Sequence, residues 1–292
     1  MDNTNQTQKK LKEYNVNPLY RPEIPTDSEN GFPLLHLNNP FLSISDLILN
    51  DETKDRIEHI ILENKKSVNF HELGLKPKQK ILFCGPPGTG KTLAAQVISS
   101  VIGYPFVYVL FDSIVSSFLG ETATNLRKIF QFIEKDRYVV LFDEFDIVGK
   151  KRDDPHEHGE IKRVVNNFMQ MLDTYRGDSI LIAATNHQQM LDVALWRRFD
   201  EILYFDLPSH QQRKQLFEKY IGFIKHAEEI NIVNLANKTK DYSGAEIAQI
   251  CQDAIRKAIV SDRLEITNND LRWALMEQKR RKQIVKLQNQ HT

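Results

Sequence analysis

The chain has 292 residues, enough for one large domain or two modest ones with real cores. Apolar residues make up 41% and charged residues 27%, as in an ordinary soluble globular protein, and 39 basic against 39 acidic residues leave no global pull toward nucleic acid. No apolar run approaches the roughly 18 residues of a membrane helix, the amino terminus lacks a signal-peptide pattern, and the two cysteines, Cys84 and Cys251, fit a reducing compartment, so a cytoplasmic protein is expected.

Residues 1–40 are polar and punctuated by Pro18, Pro22, Pro25, Pro33 and Pro40. Such a segment buries little by itself and is expected to be an extended arm or a partner-binding tail. From Ile44 to Lys66 the pattern is helical, with Leu47, Ile57, Ile60 and Ile61 turned inward. Strands and helices then alternate. Runs at 80–84, 105–110, 138–143, 179–184 and 201–206 read as strands, with helices near 91–102, 123–135, 157–173 and 188–196 between them. The alternation predicts an α/β core over 41–207: a parallel five-stranded sheet with helices on both faces.

After Pro208 the strand signal disappears. Helical patterns near 210–225, 231–238, 243–261 and 267–285 predict a small all-α domain over 208–292. The last helix opens on Thr267-Asn268-Asn269-Asp270, a start resembling a capping box. The basic stretch from Lys279 to Lys286 reads first as a solvated face, with a docking role as the minority reading.

The most informative segment joins the first core strand to its helix. Ile81-Leu82-Phe83-Cys84 is followed by Gly85-Pro86-Pro87-Gly88-Thr89-Gly90-Lys91-Thr92 and then by the helix-like Leu93-Ala94-Ala95. This is the G-x-x-x-x-G-K-[ST] phosphate loop in its strand–helix context. Its glycines let backbone N–H groups turn toward phosphate oxygens, and the following helix directs its positive dipole end at the same charge. Lys91 is expected to reach the β- and γ-phosphates of a nucleoside triphosphate, and the Thr92 hydroxyl to hold Mg²⁺. Cys84 reads as a small buried apolar residue.

Tyr138-Val139-Val140-Leu141-Phe142 runs into Asp143-Glu144, two carboxylates at the end of an apolar strand. Charges there are costly unless they serve a cation or a reaction. Asp143 is the candidate Mg²⁺ ligand, and Glu144 the base that orients and deprotonates a water. Two adjacent acids favour hydrolysis over transfer to an alcohol. Asn186 ends another apolar strand, where it can hold that water if the two strands are neighbours. Arg197-Arg198 read either as surface charge or as arginine fingers for a neighbouring subunit's γ-phosphate.

Together these segments resemble the AAA family of ring ATPases over about residues 41–285. The resemblance covers the Walker A loop from Gly85 to Thr92, the Walker B pair Asp143 and Glu144, the sensor Asn186 and the Arg197-Arg198-Phe199-Asp200 segment. It implies ATP and Mg²⁺ as cofactors, arginines acting in trans, and a ring homo-oligomer, usually a hexamer. Asp241-Tyr242-Ser243-Gly244-Ala245-Glu246-Ile247 resembles the family's lid segment, placing Ser243, Gly244 and Ala245 against adenine. Asp46 and Leu47 occupy the adenine-side position before the first helix. Ser116-Ser117-Phe118-Leu119-Gly120 resembles the pore loop, so Phe118, Leu119 and Gly120 are expected to grip an extended polypeptide. The charged segment 149–160 is expected to be a second pore-facing loop.

Three functions compete at this level. The first is an ATPase motor that remodels or unfolds proteins. The second is a nucleic-acid helper of the transposition, recombination or clamp-loading kind, disfavoured by the neutral charge. The third is a binding module that uses nucleotide only as an assembly switch, disfavoured by Glu144 and the two arginines. At finer scale the compact build resembles stand-alone bacterial AAA ATPases encoded beside subtilisin-like serine proteases, some implicated in phage defence. The chain has no H-E-x-x-H or G-x-S-x-G motif, so any coupled proteolysis would reside in a separate protein.

Overall fold

The apolar runs do form the central sheet in the computed structural model, which describes residues 22–27, 31–109, 122–145, 155–190 and 193–288. Its strands are β1 (Leu35–Asn38), β2 (Lys80–Cys84), β3 (Phe106–Val109), β4 (Val139–Phe142), β5 (Ile180–Thr185) and β6 (Glu201–Tyr204), in the spatial order β1-β3-β4-β5-β2-β6. From β3 to β6 every neighbouring pair is parallel. β4 and β5 are buried along their whole length, which is why they read as unbroken apolar runs rather than alternating ones.

Helices cover both faces. On one, α1 (Asp51–Lys65) and α3 (Lys91–Ile102) bring Ile57, Ile60, Ala94 and Ile98 against Ile81, Phe83, Leu141 and Ile182. On the other, α4 (Thr122–Ile133) and α5 (Pro155–Thr174) bring Leu126, Phe130, Phe168 and Leu172 against Leu82, Val140 and Leu181. Ile81 and Leu82 face opposite ways because strand side chains alternate. The short α2 (Ser67–Glu72) follows α1 directly.

β1 corrects the expectation of an extended arm up to residue 40. It pairs antiparallel with β3, Leu35 opposite Val109 and Asn38 opposite Phe106, and Leu34 and Leu35 are fully buried. A four-residue strand amid prolines carries too little alternation to be read locally. The helical pattern from Ile44 is also interrupted. Ile44–Asp46 forms one 3₁₀ turn, Leu47 turns extended, and α1 starts only at Asp51, where the Asn50 side chain accepts the Thr53 N–H at 2.7 Å. The segment read as one helix over 188–196 is a 3₁₀ turn, Gln188–Met190, followed by α6 (Val193–Trp196).

The rest of the chain is helical as expected: α7 (His210–Ile221), α8 (Ile232–Lys238), α9 (Gly244–Val260) and α10 (Asn268–Gln288) pack Phe217, Ile221, Ile247, Ile250 and Leu271 into a separate core. One small ladder was not legible: β7 (Lys225–His226) pairs in parallel with β8 (Glu265–Ile266), and two residues are too few for a periodic signal. The basic end of α10 is not simply solvated. Lys282 lies 4.0 Å from the Tyr242 ring centroid and 2.9 Å from Glu246 Oε1, while Arg281 reaches Asp253 at 2.8 Å. Among the described residues no helix is long and apolar enough to cross a membrane.

The start of α10 is an electrostatic anchor of the helical domain. Asp270 Oδ2 accepts from Thr267 N at 3.0 Å and Thr267 Oγ1 at 2.8 Å, and the Arg263 guanidinium donates to both carboxylate oxygens at 2.8 Å. Above all the Arg263 hydrogen bonds hold the buried Asp270 carboxyl at about 2, below its ordinary 3.8. A depressed acid stabilises the fold above its unfolded value and loses that contribution as the pH falls through its folded one. Asp270→Asn is therefore expected to lower the thermal unfolding midpoint at pH 6. The gap from the native protein should narrow between about pH 4 and pH 2, as followed by circular dichroism.

Candidate functional site: a nucleotide cleft between sheet edge and lid

Parallel pairing sets Cys84 opposite Thr185 and Phe142 opposite Ala183. Strands β2, β4 and β5 therefore end at one edge, and the segments that follow them emerge side by side, the usual place for a ligand in an open α/β sheet. A cleft of about 420 Å³ opens there, walled by the phosphate loop, Asp143, Glu144 and Asn186 on one side and by Leu216, Gly244 and Ala245 of the helical domain on the other.

The loop depends on two close approaches. A side chain on Gly85, at φ +140°, would sit 2.1 Å from the Phe205 carbonyl oxygen, at the point where Phe205 N–H donates to Cys84 O at 2.7 Å. A side chain on Gly88, at φ +74°, would meet Ser243 Oγ at 2.7 Å and Ala245 Cβ at 2.9 Å. Ala245 N–H donates to Gly88 O at 3.0 Å, so the amino terminus of α9 rests directly on the loop.

Lys91 is almost wholly buried, and its ammonium donates to Gly85 O at 2.7 Å and Pro86 O at 2.9 Å. Thr92 Oγ1 donates to Asp143 Oδ2 at 2.9 Å. Asp143 Oδ1 accepts the Glu144 N–H at 2.9 Å, and Glu144 holds a left-handed backbone at φ +54°. A left-handed non-glycine residue costs about 1–3 kcal/mol and is characteristic of functional sites. Its side chain is exposed at the cleft while Phe145 beside it is fully buried. A glycine-built cradle at a helix amino terminus suits phosphates, and the adjoining Thr92 hydroxyl and Asp143 carboxylate are hard oxygen donors that suit Mg²⁺.

The other candidate residues divide. Pro87, Gly88, Thr89, Gly90, Lys91, Thr92 and Leu93 all line the cleft, as do Asp46, Leu47 and Asn186. Gly85 and Pro86 lie beneath it, serving as carbonyl acceptors for Lys91. Gly244 and Ala245 line the cleft, whereas Ser243 caps α9, its Oγ accepting from Glu246 N at 3.3 Å and its N–H donating to Glu246 Oε2 at 2.7 Å. Arg197 is exposed, and Arg198 is paired with Asp173 at 2.9 Å. Neither lines this cleft. They precede Asp200, whose N–H donates to Lys80 O at the start of β2, about 16 Å of strand away from the loop. Phe118, Leu119 and Gly120 lie outside the described residues, as do residues 149–154 of the expected charged loop. From Pro155 onward that segment belongs to α5.

Sequence reasoning missed the share of α7 in the lid-side wall. Gln212, Leu216 and Tyr220 line the cleft at four-residue spacing, as do Ile48 and Asn50 from the segment before α1. The spacing was visible, but nothing local says which face of α7 meets a ligand. Cys84 is buried as expected, and desolvation pushes its thiol up to about 11.

Residues 81–207 match the family described as "ATPase family associated with various cellular activities (AAA)", and residues 229–273 match the "AAA+ lid domain". The chain is 37% identical over 238 residues to the "Uncharacterized AAA family ATPase y4kL" of Sinorhizobium fredii, covering 82% of this chain and 72% of that protein. The chain belongs to the AAA family of ATPases. It is also similar to the proteasome-activating nucleotidase of Saccharolobus solfataricus, 34% identical over 231 residues, and to that of Sulfurisphaera tokodaii, 35% over 234. These alignments cover 76% and 78% of this chain but only 58% and 60% of the two nucleotidases. As an AAA ATPase the protein binds and hydrolyses ATP, and its helical domain is the lid.

Because Gly88 is pressed between loop and lid, Gly88→Ala is expected to weaken ATP binding at least about tenfold by prying Ser243 and Ala245 away. Titration of a fluorescent ATP analogue against the native and variant proteins measures it.

Proposed function

We propose that this ATPase works as a Mg²⁺-dependent ring, a hexamer by family resemblance, that remodels or unfolds protein substrates. The observation that carries the reading is the division of the site. Lys91, Thr92, Asp143, Glu144 and Asn186 converge on one cleft, while Arg197 and Arg198 lie near the far edge of the sheet. Arginines that do not line their own chain's cleft are suited to a neighbour's. In this reading Lys91 binds phosphate oxygens, Glu144 orients and deprotonates the attacking water, and Asn186 holds that water against the γ-phosphate. Arg197 and Arg198 of the adjacent copy stabilise the charge that develops on the transferred group. Mg²⁺ held by Thr92 and Asp143 would neutralise phosphate charge.

The nucleotidase relatives, named for activating a proteasome, support a protein substrate and a separate proteolytic partner. A subtilisin-like serine protease, in a bacterial defence setting, is the partner type suggested by the subgroup resemblance. Phe118, Leu119 and Gly120 are the proposed grip. A cytoplasmic site of action accords with the two buried free thiols.

Two experiments test this. Glu144→Gln is expected to retain ATP while turnover falls by roughly 10²–10⁴; proteins recovered with the trapped form should be polypeptide substrates or a protease. Recovery of DNA instead, with DNA-stimulated turnover, would favour the nucleic-acid reading. Secondly, mixing Arg197→Ala with Lys91→Ala subunits should restore part of the turnover that each lacks alone. Silence from well-formed mixed rings defeats the shared site.

A further inference from the structure

The lid reaches the base end of the cleft through one side chain. Lys219, in the last turn of α7, donates from Nζ to both the backbone carbonyl oxygen and the Oδ1 of Asp46, each at 2.9 Å. Asp46 is held from its other side as well. Its Oδ2 accepts from Ser43 N at 2.9 Å and Ser43 Oγ at 3.2 Å. The next N–H, of Leu47, donates to Ile44 O at 3.2 Å. Both ends of the Asp46–Leu47 peptide unit are therefore engaged, the carbonyl by a cation from the lid and the N–H by the 3₁₀ turn. Lys219 foremost, then the Ser43 N–H, lowers the Asp46 carboxyl below its ordinary range, so it is a carboxylate near neutral pH.

The residue immediately after this fixed unit and Leu47 is Ile48. It lines the cleft, and among the described residues its backbone N–H and C=O take no intramolecular hydrogen bond. A polar backbone pair left open at a cleft wall calls for a ligand or water partner. One donor and one acceptor suit the acceptor N1 and donor amine of adenine's pairing edge; guanine presents the reverse, a donor N1–H and an acceptor O6. The orientation of these groups is set by the peptide that Lys219 holds together with the Ile48 side chain, which packs against the lid's apolar core. Tyr220, the next residue of α7, lines the same cleft, so a shift of the helix alters both wall and clasp together.

We propose that Lys219 is a positioning residue for the base: from the lid it fixes the Asp46–Leu47 peptide, and through it the Ile48 backbone that selects adenine, so lid position and base selectivity share one contact. The inference rests on the cleft being the ATP site. An exposed ion pair alone would contribute little. A cation bonded to a backbone carbonyl at a binding wall acts on geometry, and so on selectivity.

The test uses the full chain in the Glu144→Gln background with Mg²⁺, titrating ATP, GTP and inorganic tripolyphosphate by calorimetry. Adding Lys219→Met, which keeps the apolar stem, is expected to weaken ATP about tenfold and to erase most of the preference for ATP over GTP. Tripolyphosphate affinity should stay unchanged, and Lys219→Arg should recover part of the preference. ATP affinity and preference both within twofold of the parent overturn the proposal. Equal weakening of all three ligands overturns it too, since Lys219 would then merely prop the lid. If Lys91→Ala leaves tripolyphosphate and ATP binding intact, the cleft reading itself fails and takes this inference with it.

Discussion

Everything in the site depends on the common carboxyl edge of three parallel strands. Hydrogen-bond register between β2, β4 and β5 is a property of the buried backbone, and it is held by side chains packed on both faces of the sheet. Slipping any one strand would turn its core residues toward the wrong face, at a cost far above the energy of any polar contact in the cleft. The core thus acts as a jig. It fixes where the phosphate loop, the Asp143–Glu144 pair and Asn186 begin, and local chemistry determines only how each departs from its strand.

The second wall is held by contacts of a different kind. Where sheet and helices meet through broad apolar surface, the lid meets the cleft mouth through two directional bonds, Ala245 to Gly88 and Lys219 to Asp46, beside the apolar contact of Ile48 with the lid core. Polar contacts at a wet mouth are individually weak and readily exchanged for water or ligand. A lid with its own apolar core, joined to the site by such contacts, can change its angle without unfolding. That is the mechanical property an ATPase needs if turnover is to move anything.

Legibility in the sequence followed the range of the forces involved. The phosphate loop was readable because its constraint is local: glycine backbones must approach phosphates, and a helix must start immediately afterwards. The strands before Asp143 and Asn186 were readable because burial on both faces leaves an unbroken apolar run. The Thr267–Asp270 helix start was equally local, and its hydrogen bonds are those the pattern predicts. β1 was missed because its stability comes from β3, some seventy residues on, rather than from its own four residues. The extended run at Leu47–Asn50 was hidden inside a helical pattern, since inward-facing Leu47 fits a helix or an extended segment equally well.

By itself, then, the sequence determined the chemistry on offer: a phosphate cradle, a paired carboxylate, two arginines and a helical appendage. Only the tertiary structure decided their company. It put Asn186 and Glu144 on one cleft, withdrew Ser243 into a helix cap, set Arg197 and Arg198 near the opposite edge of the sheet, and brought Lys219 to Asp46 across 173 positions of chain. The reason is physical. Motifs encode contacts within a turn or two of the backbone, whereas the meeting of distant segments follows from how apolar faces pack, and that is a property of the whole chain.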